Sequence, residues 1–149
     1  MYDQLKLDNQ LCFRLYTAAR LTMQAYWPYF ELLGITYPQY LVLMVLWERD
    51  QQPVNDIAKR LYLETNTITP LLQRMEKAGL LHRVKGEKDS RQRIVCLTAK
   101  GKAMEEQAKV IPDCLTSQIC ERGVDITHLS TIIPALDELI EGLHKNAIK

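Results

Sequence analysis

The 149-residue chain has no long hydrophobic run. Its longest uninterrupted apolar stretch with tyrosine left out, Leu41 to Trp47, is seven residues, whereas a membrane-spanning helix needs about 20. The N-terminus, Met1-Tyr2-Asp3-Gln4, lacks the basic and apolar regions of a signal peptide, so a cytoplasmic protein with no membrane contact is expected. Glycine is scarce, with six residues, and none falls into a phosphate-cradling loop or a Gly-x-Ser-x-Gly elbow. The three histidines, His82, His128 and His144, are not spaced as a catalytic set. No Cys-x-x-Cys or His-x3-His pair is present, so neither enzyme, metal nor cofactor is expected. Four cysteines in a reducing compartment point away from structural disulfides.

What is present is enough for one compact domain with a real core, since 47% of the residues are apolar and 25% charged. The formal net charge of +1 conceals a strong asymmetry. Residues 1 to 73 hold six Lys/Arg against seven Asp/Glu, residues 74 to 102 nine against three, and residues 103 to 149 four against eight. Positive charge gathered into 29 consecutive residues is the footprint of a local polyanion binder.

Helical periodicity dominates the chain. Cys12, Tyr16, Ala19, Met23 and Tyr26 form one stripe of a first helix that Asp8 can cap and Pro28 should end or bend. Thr36-Tyr37-Pro38-Gln39 reads as a capping box opening a second helix, to about Glu48. A third begins at Pro53. A fourth carries Ile68, Leu71, Leu72 and Met75, cannot start before about Thr65 because of Pro70, and closes at Gly79. Leu80 to Val84 and Arg93 to Leu97 have strand character and flank a charged tip, a β-hairpin. A long fifth helix, bent at Pro112, should follow. A last helix after Gly123, capped by Asp125 or Thr127, runs along Ile126, Leu129, Ile133, Leu136, Ile140 and Leu143 with a kink at Pro134.

Two short amphipathic helices, a tight turn and a basic hairpin make a winged helix-turn-helix, and the charge block falls on its second helix and wing. Burial of the apolar stripe leaves Thr65, Asn66, Thr67, Thr69, Gln73, Arg74 and Lys77 exposed, with side chains suited to base edges and phosphates in the major groove. Arg91 would lie along or in the adjacent minor groove.

Asp89-x-Arg91 followed by Ile94-Val95-Cys96-Leu97-Thr98 and Gly101 resembles the wing signature of the MarR family of transcriptional regulators. The resemblance implies a mainly α fold with a small β-hairpin wing, residues 1–149 forming a single MarR-type domain. Residues 36–101 would be the winged core, with the wing at about 82–97, and residues 1–30 and 102–149 the dimerisation helices. It further implies a homodimer on double-stranded, pseudo-palindromic DNA, with half-sites roughly 34–36 Å apart. Repression is likewise implied by the family.

Three further segments, Leu7 to Tyr16, Ile35 to Tyr40 and Leu61-Tyr62-Leu63, resemble the organic-hydroperoxide-resistance repressors within that family. Matching their motif makes Cys12 the redox sensor, hydrogen-bonded by Tyr26 and Tyr37, with an organic hydroperoxide as oxidant. It also implies that either Cys114 or Cys120 could be the resolving thiol, unless oxidation ends in a mixed disulfide or overoxidation. Cys96, in a wing strand, reads as structural. Cys12 and Tyr26 are 14 residues apart on one helix, or roughly 21 Å at 1.5 Å per residue, so they can meet only across a dimer. Phe13, Leu15 and Met23 are expected to give the cysteine apolar surroundings that favour an alkyl peroxide over hydrogen peroxide. The alternative reading is a MarR-type regulator that responds to a small aromatic ligand.

Overall fold

The computed structural model describes residues 1–147. Two single-turn 3-10 helices, Asp3–Leu5 and Leu7–Asn9, lead into α1 (Leu11–Leu33). Asp8 therefore lies in a preceding turn rather than at the cap; Gln10 occupies that place and gives no side-chain hydrogen bond. Pro28 does not end α1, which runs on to Gly34. There a left-handed glycine (φ 66°) lets the Ile35 N–H reach back to the Phe30 carbonyl at 3.1 Å.

The capping box forms as expected at α2 (Tyr37–Glu48): the Thr36 hydroxyl accepts from the Gln39 N–H, and the Gln39 side chain accepts from the Thr36 N–H. Strand β1 (Gln52–Pro53), α3 (Val54–Arg60) and α4 (Thr65–Lys77) follow. The hairpin is β2 (Leu81–Lys85) with β3 (Arg93–Leu97), and β1 pairs with the other edge of β3 to give a three-stranded antiparallel sheet in the order β1-β3-β2. Sequence periodicity missed β1, whose two residues carry no alternation to detect. What fixes it is the buried Gln52 amide, which donates to the Val45 and Arg49 carbonyls at the end of α2.

The long fifth helix is two: α5 (Ala99–Ala108) and α6 (Ile111–Glu121). Pro112 has no N–H for the Ala108 carbonyl, so the break falls before the proline, at Lys109 and Val110. The last helix divides for the same reason. Pro134 cannot bond Ser130, so α7 (Ile126–Ser130), capped by the Asp125 carboxylate, stops and α8 (Ile133–Ala147) begins afresh.

The core lies in the middle of the chain. Val42, Leu43, Leu46, Ile57, Ile68, Leu72 and Val95 are fully buried, joining α2, α3, α4 and the sheet. By contrast α1 buries only Phe30 over 23 residues, and α7 buries none. Leu11, Leu15 and Ala18 of α1 instead line an open groove of about 770 Å³ with Leu136, Leu139 and Leu143 of α8. No single helix among the described residues is long and apolar enough to cross a membrane.

Candidate functional site

The second helix of the turn, α4, turns Ile68, Leu71, Leu72 and Met75 into the core. Thr65, Asn66, Thr67, Gln73, Arg74 and Lys77 are exposed as expected, whereas Thr69 is half-buried. The helix and wing are tied together. The Arg83 main-chain N–H and guanidinium both donate to the Glu76 carboxylate, each at 2.9 Å, across partly buried side chains. The hydrogen bonds from Arg83 hold the Glu76 carboxyl below its ordinary range. Sequence reasoning passed over this pair; a Glu near the end of the helix and an Arg in the facing strand, seven residues on, were the available signal.

At the wing tip the Asp89 carboxylate accepts from the Arg91 N–H at 3.0 Å and from its Nε at 3.4 Å. Arg91 otherwise projects freely, with 91% of its side chain exposed. Gly86 donates its N–H to the Gln92 carbonyl at 2.9 Å and lies so close to the turn that a Cβ would come within 2.7 Å of the Asp89 carbonyl oxygen. Asp89 thus shapes the tip and holds Arg91, whose side chain stays largely in solvent.

The second cluster is aromatic. Tyr26 and Phe30 of α1 stack at 5.0 Å, and Tyr26 stands 5.2 Å from Tyr37 and 6.2 Å from Tyr40 of α2, ring centre to ring centre. Burial pushes all three tyrosine hydroxyls above their usual ionisation range; the neighbouring Tyr37 adds to this at Tyr26 and Tyr40. They remain protonated donors through neutral pH. Cys12 is not among them. It is exposed, the second residue of α1, at an end with no side-chain cap. Both Cys12 and Tyr26 lie on this one helix. Met23 is eleven residues from Cys12 on the same helix, roughly 16 Å away, and Phe13 is exposed, so the expected apolar shell is not assembled within one chain.

Cys114 and Cys120 are both exposed on α6. Cys114 lines a shallow depression with Tyr29 of α1, Gln118 and Ser117, and the Gln118 Oε1 atom is buried there without a hydrogen-bond partner. Cys120 lies one residue from the end of α6. Cys96 is half-buried in β3, opposite His82, and burial raises its thiol pKa. Among the described residues no three His, Cys, Asp or Glu side chains are grouped to hold a metal ion.

A helix-turn-helix braced by a three-stranded sheet, with a basic hairpin beside its second helix, defines a winged helix-turn-helix protein. The MarR family model matches residues 35–92, from the start of α2 to the tip of the wing. The chain is also 40% identical to the organic hydroperoxide resistance transcriptional regulator of Bacillus subtilis, over 97% of this chain and 96% of that one. The chain belongs to the MarR family. Among solved structures, reduced AbfR bound to DNA, from Staphylococcus epidermidis, is 35% identical with a TM-score of 0.78, covering 95% of this chain and 96% of that one. Disulfide-formed AbfR is 36% identical with a TM-score of 0.66, covering 99% and 96%.

Proposed function

We propose that this chain is a homodimeric transcriptional repressor that releases a pseudo-palindromic operator when an organic hydroperoxide oxidises Cys12. Members of the family are DNA-binding regulators rather than enzymes, and peroxide consumption here would be stoichiometric. Thr65, Asn66, Thr67, Gln73, Arg74 and Lys77 would face the major groove, Thr69 would contribute its partly exposed hydroxyl, and Arg91, set by Asp89, would contact the minor groove or its phosphates. The apolar faces of α1 and α8, uncovered in the single chain, support pairing through the terminal helices.

The observation that carries the sensor reading is the separation of Cys12 from Tyr26 along one continuous helix, with Tyr37 of α2 packed beside Tyr26. A dimer that brings α1 of one subunit against α2 of the other completes the site with two protonated hydroxyls near the sulfur. The Cys12 thiolate attacks the terminal peroxide oxygen and the O–O bond breaks. The alkoxide leaves, taking a proton to become the alcohol, and Cys12 becomes sulfenic acid. A second thiol displaces water to form a disulfide. Cys114 is the better placed resolving group, because it shares its depression with Tyr29, one turn along α1 from Tyr26, while Cys120 lies towards the far end of α6. The relatives support this chemistry: one is named for organic hydroperoxide resistance, and AbfR is known in reduced, DNA-bound and disulfide forms.

The test is DNA binding by fluorescence anisotropy with intact mass on the same samples, for wild type and Cys12→Ser, before and after one equivalent of cumene hydroperoxide. Loss of binding in wild type alone, with an added oxygen or an interchain disulfide, is expected. Continued binding by both proteins would overturn the sensor assignment. A second reading, response to a small aromatic ligand, is favoured by a cleft of about 680 Å³ where Tyr62 and His144 lie among charged side chains of both signs, Arg49, Lys59 and Arg60 with Asp56 and Glu141. Under that reading Cys12→Ser leaves the response intact.

A further inference from the structure

Pro70 is the sixth residue of α4, past the first turn where proline costs a helix little. It has no N–H for the Asn66 carbonyl, and its side chain is exposed rather than packed in the core. The fold gains nothing visible in return. Its position on the helix is informative. At about 100° per residue, Asn66, Pro70, Gln73 and Lys77 lie within about 60° of one another, opposite the buried Ile68, Leu71, Leu72 and Met75. Pro70 is therefore on the exposed face, about 30° from its midline, flanked by the amide of Asn66 one turn before it and that of Gln73 one turn after.

A local rule broken on a binding face, without a compensating contact inside the chain, marks a residue whose partner lies outside. The surrounding side chains are hydrogen-bonding or charged, so Pro70 is the one compact apolar surface on this stripe. In the major groove the apolar feature a protein can recognise is the C5-methyl group of thymine. The pyrrolidine ring also has no rotamers to freeze on contact.

We propose that Pro70 is a specificity-determining residue that reads a thymine through its C5-methyl group, at one position in each half-site. This rests on the DNA-binding reading above and adds a base identity to it. Asn66 and Gln73, one turn to either side, would bond the edges of neighbouring bases, and the proline ring would reject a cytosine, whose edge there is a hydrogen-bond donor with no methyl.

The experiment begins with a duplex selected by the reduced wild-type protein from a randomised pool. Each thymine is then replaced in turn by uracil, which removes only the methyl group, and binding is measured by anisotropy for wild type and Pro70→Ser. Circular dichroism confirms that the variant retains its helix, which its restored N–H favours. One thymine-to-uracil change per half-site is expected to weaken wild-type binding about three- to tenfold, and to weaken Pro70→Ser binding by less than twofold at the same position. Equal sensitivity of the two proteins at every thymine, or no sensitivity in either, would overturn the proposal. If the wild type selects no motif at all, the DNA-binding reading fails and takes this inference with it.

Discussion

The Glu76 carboxylate receives two hydrogen bonds from Arg83, one from the main chain of β2 and one from the guanidinium, so the helix that would enter the major groove and the wing beside it are locked at one angle. A charge-assisted pair of this kind is stronger than a neutral one. Glu76→Gln is expected to lower stability by about 1–2 kcal/mol, measured by urea unfolding, and to weaken operator binding at salt concentrations where both proteins are fully folded. Because the folded-state pKa of Glu76 lies below its unfolded value, its contribution is present above the unfolded value. It is lost as pH falls through the folded one. The difference in stability between wild type and Glu76→Gln should therefore shrink below pH 4.5.

Gly101 tests the join between wing and fifth helix. A Cβ there would overlap the Leu80 carbonyl oxygen and crowd Leu97, while the Gly101 carbonyl accepts a hydrogen bond from the Trp47 indole at 3.0 Å. Gly101→Ala should cost about 2–4 kcal/mol, read as a lowered Tm. A change within half a kilocalorie, roughly the size of a neutral surface substitution, would contradict the close approach.

The tyrosine cluster predicts an alkaline response. Tyr26, Tyr37 and Tyr40 have folded pKa values raised above the ordinary 10.0, so the stability they confer is complete below that value and is lost as pH rises through the raised ones. Absorbance titration should show a group of tyrosines ionising late, together with unfolding. In Tyr37→Phe the late group should lose one member, and sulfenylation of Cys12 by cumene hydroperoxide should slow about three- to tenfold.

Subunit mixing tests the shared sensing site. Cys12→Ser and Tyr26→Phe/Tyr37→Phe proteins each carry a defect at both sites of their own dimer. A mixed dimer would restore one intact site, if the cysteine of one chain meets the tyrosines of the other. Mixed samples should therefore regain a fraction reacting at the wild-type rate. Sites confined to one subunit would give no such fraction.

Arg91 is the exposed cation that Asp89 positions at the wing tip. Arg91→Ala should weaken binding to all sequences by a similar factor and reduce the slope of log affinity against log salt by about one. A loss confined to one sequence would instead make Arg91 a base reader.

Several elements were legible because their causes are local. The Thr36 capping box, the exposed face of α4 save for Thr69 and the closure at Gly79 follow from side chains close together along the chain, and the structure reproduces them. The prolines were harder. Pro28 is absorbed into α1, while Pro112 and Pro134 each divide a helix one turn upstream, at the carbonyl they cannot bond. Whether a proline bends or breaks a helix depends on what packs around it, which spacing does not record.

The sequence by itself determined the winged core, the charge block on its second helix and wing, and the 14-residue interval that keeps Cys12 from its own Tyr26. These rest on periodicity, composition and the rise of a helix. Only the tertiary structure decided that Gln52 would bury its amide and start a third strand, that Glu76 would hold Arg83, and that Tyr26, Phe30, Tyr37 and Tyr40 would share one cluster. Those contacts join separate elements, and their geometry is set by how the helices pack, not by any single stretch of chain.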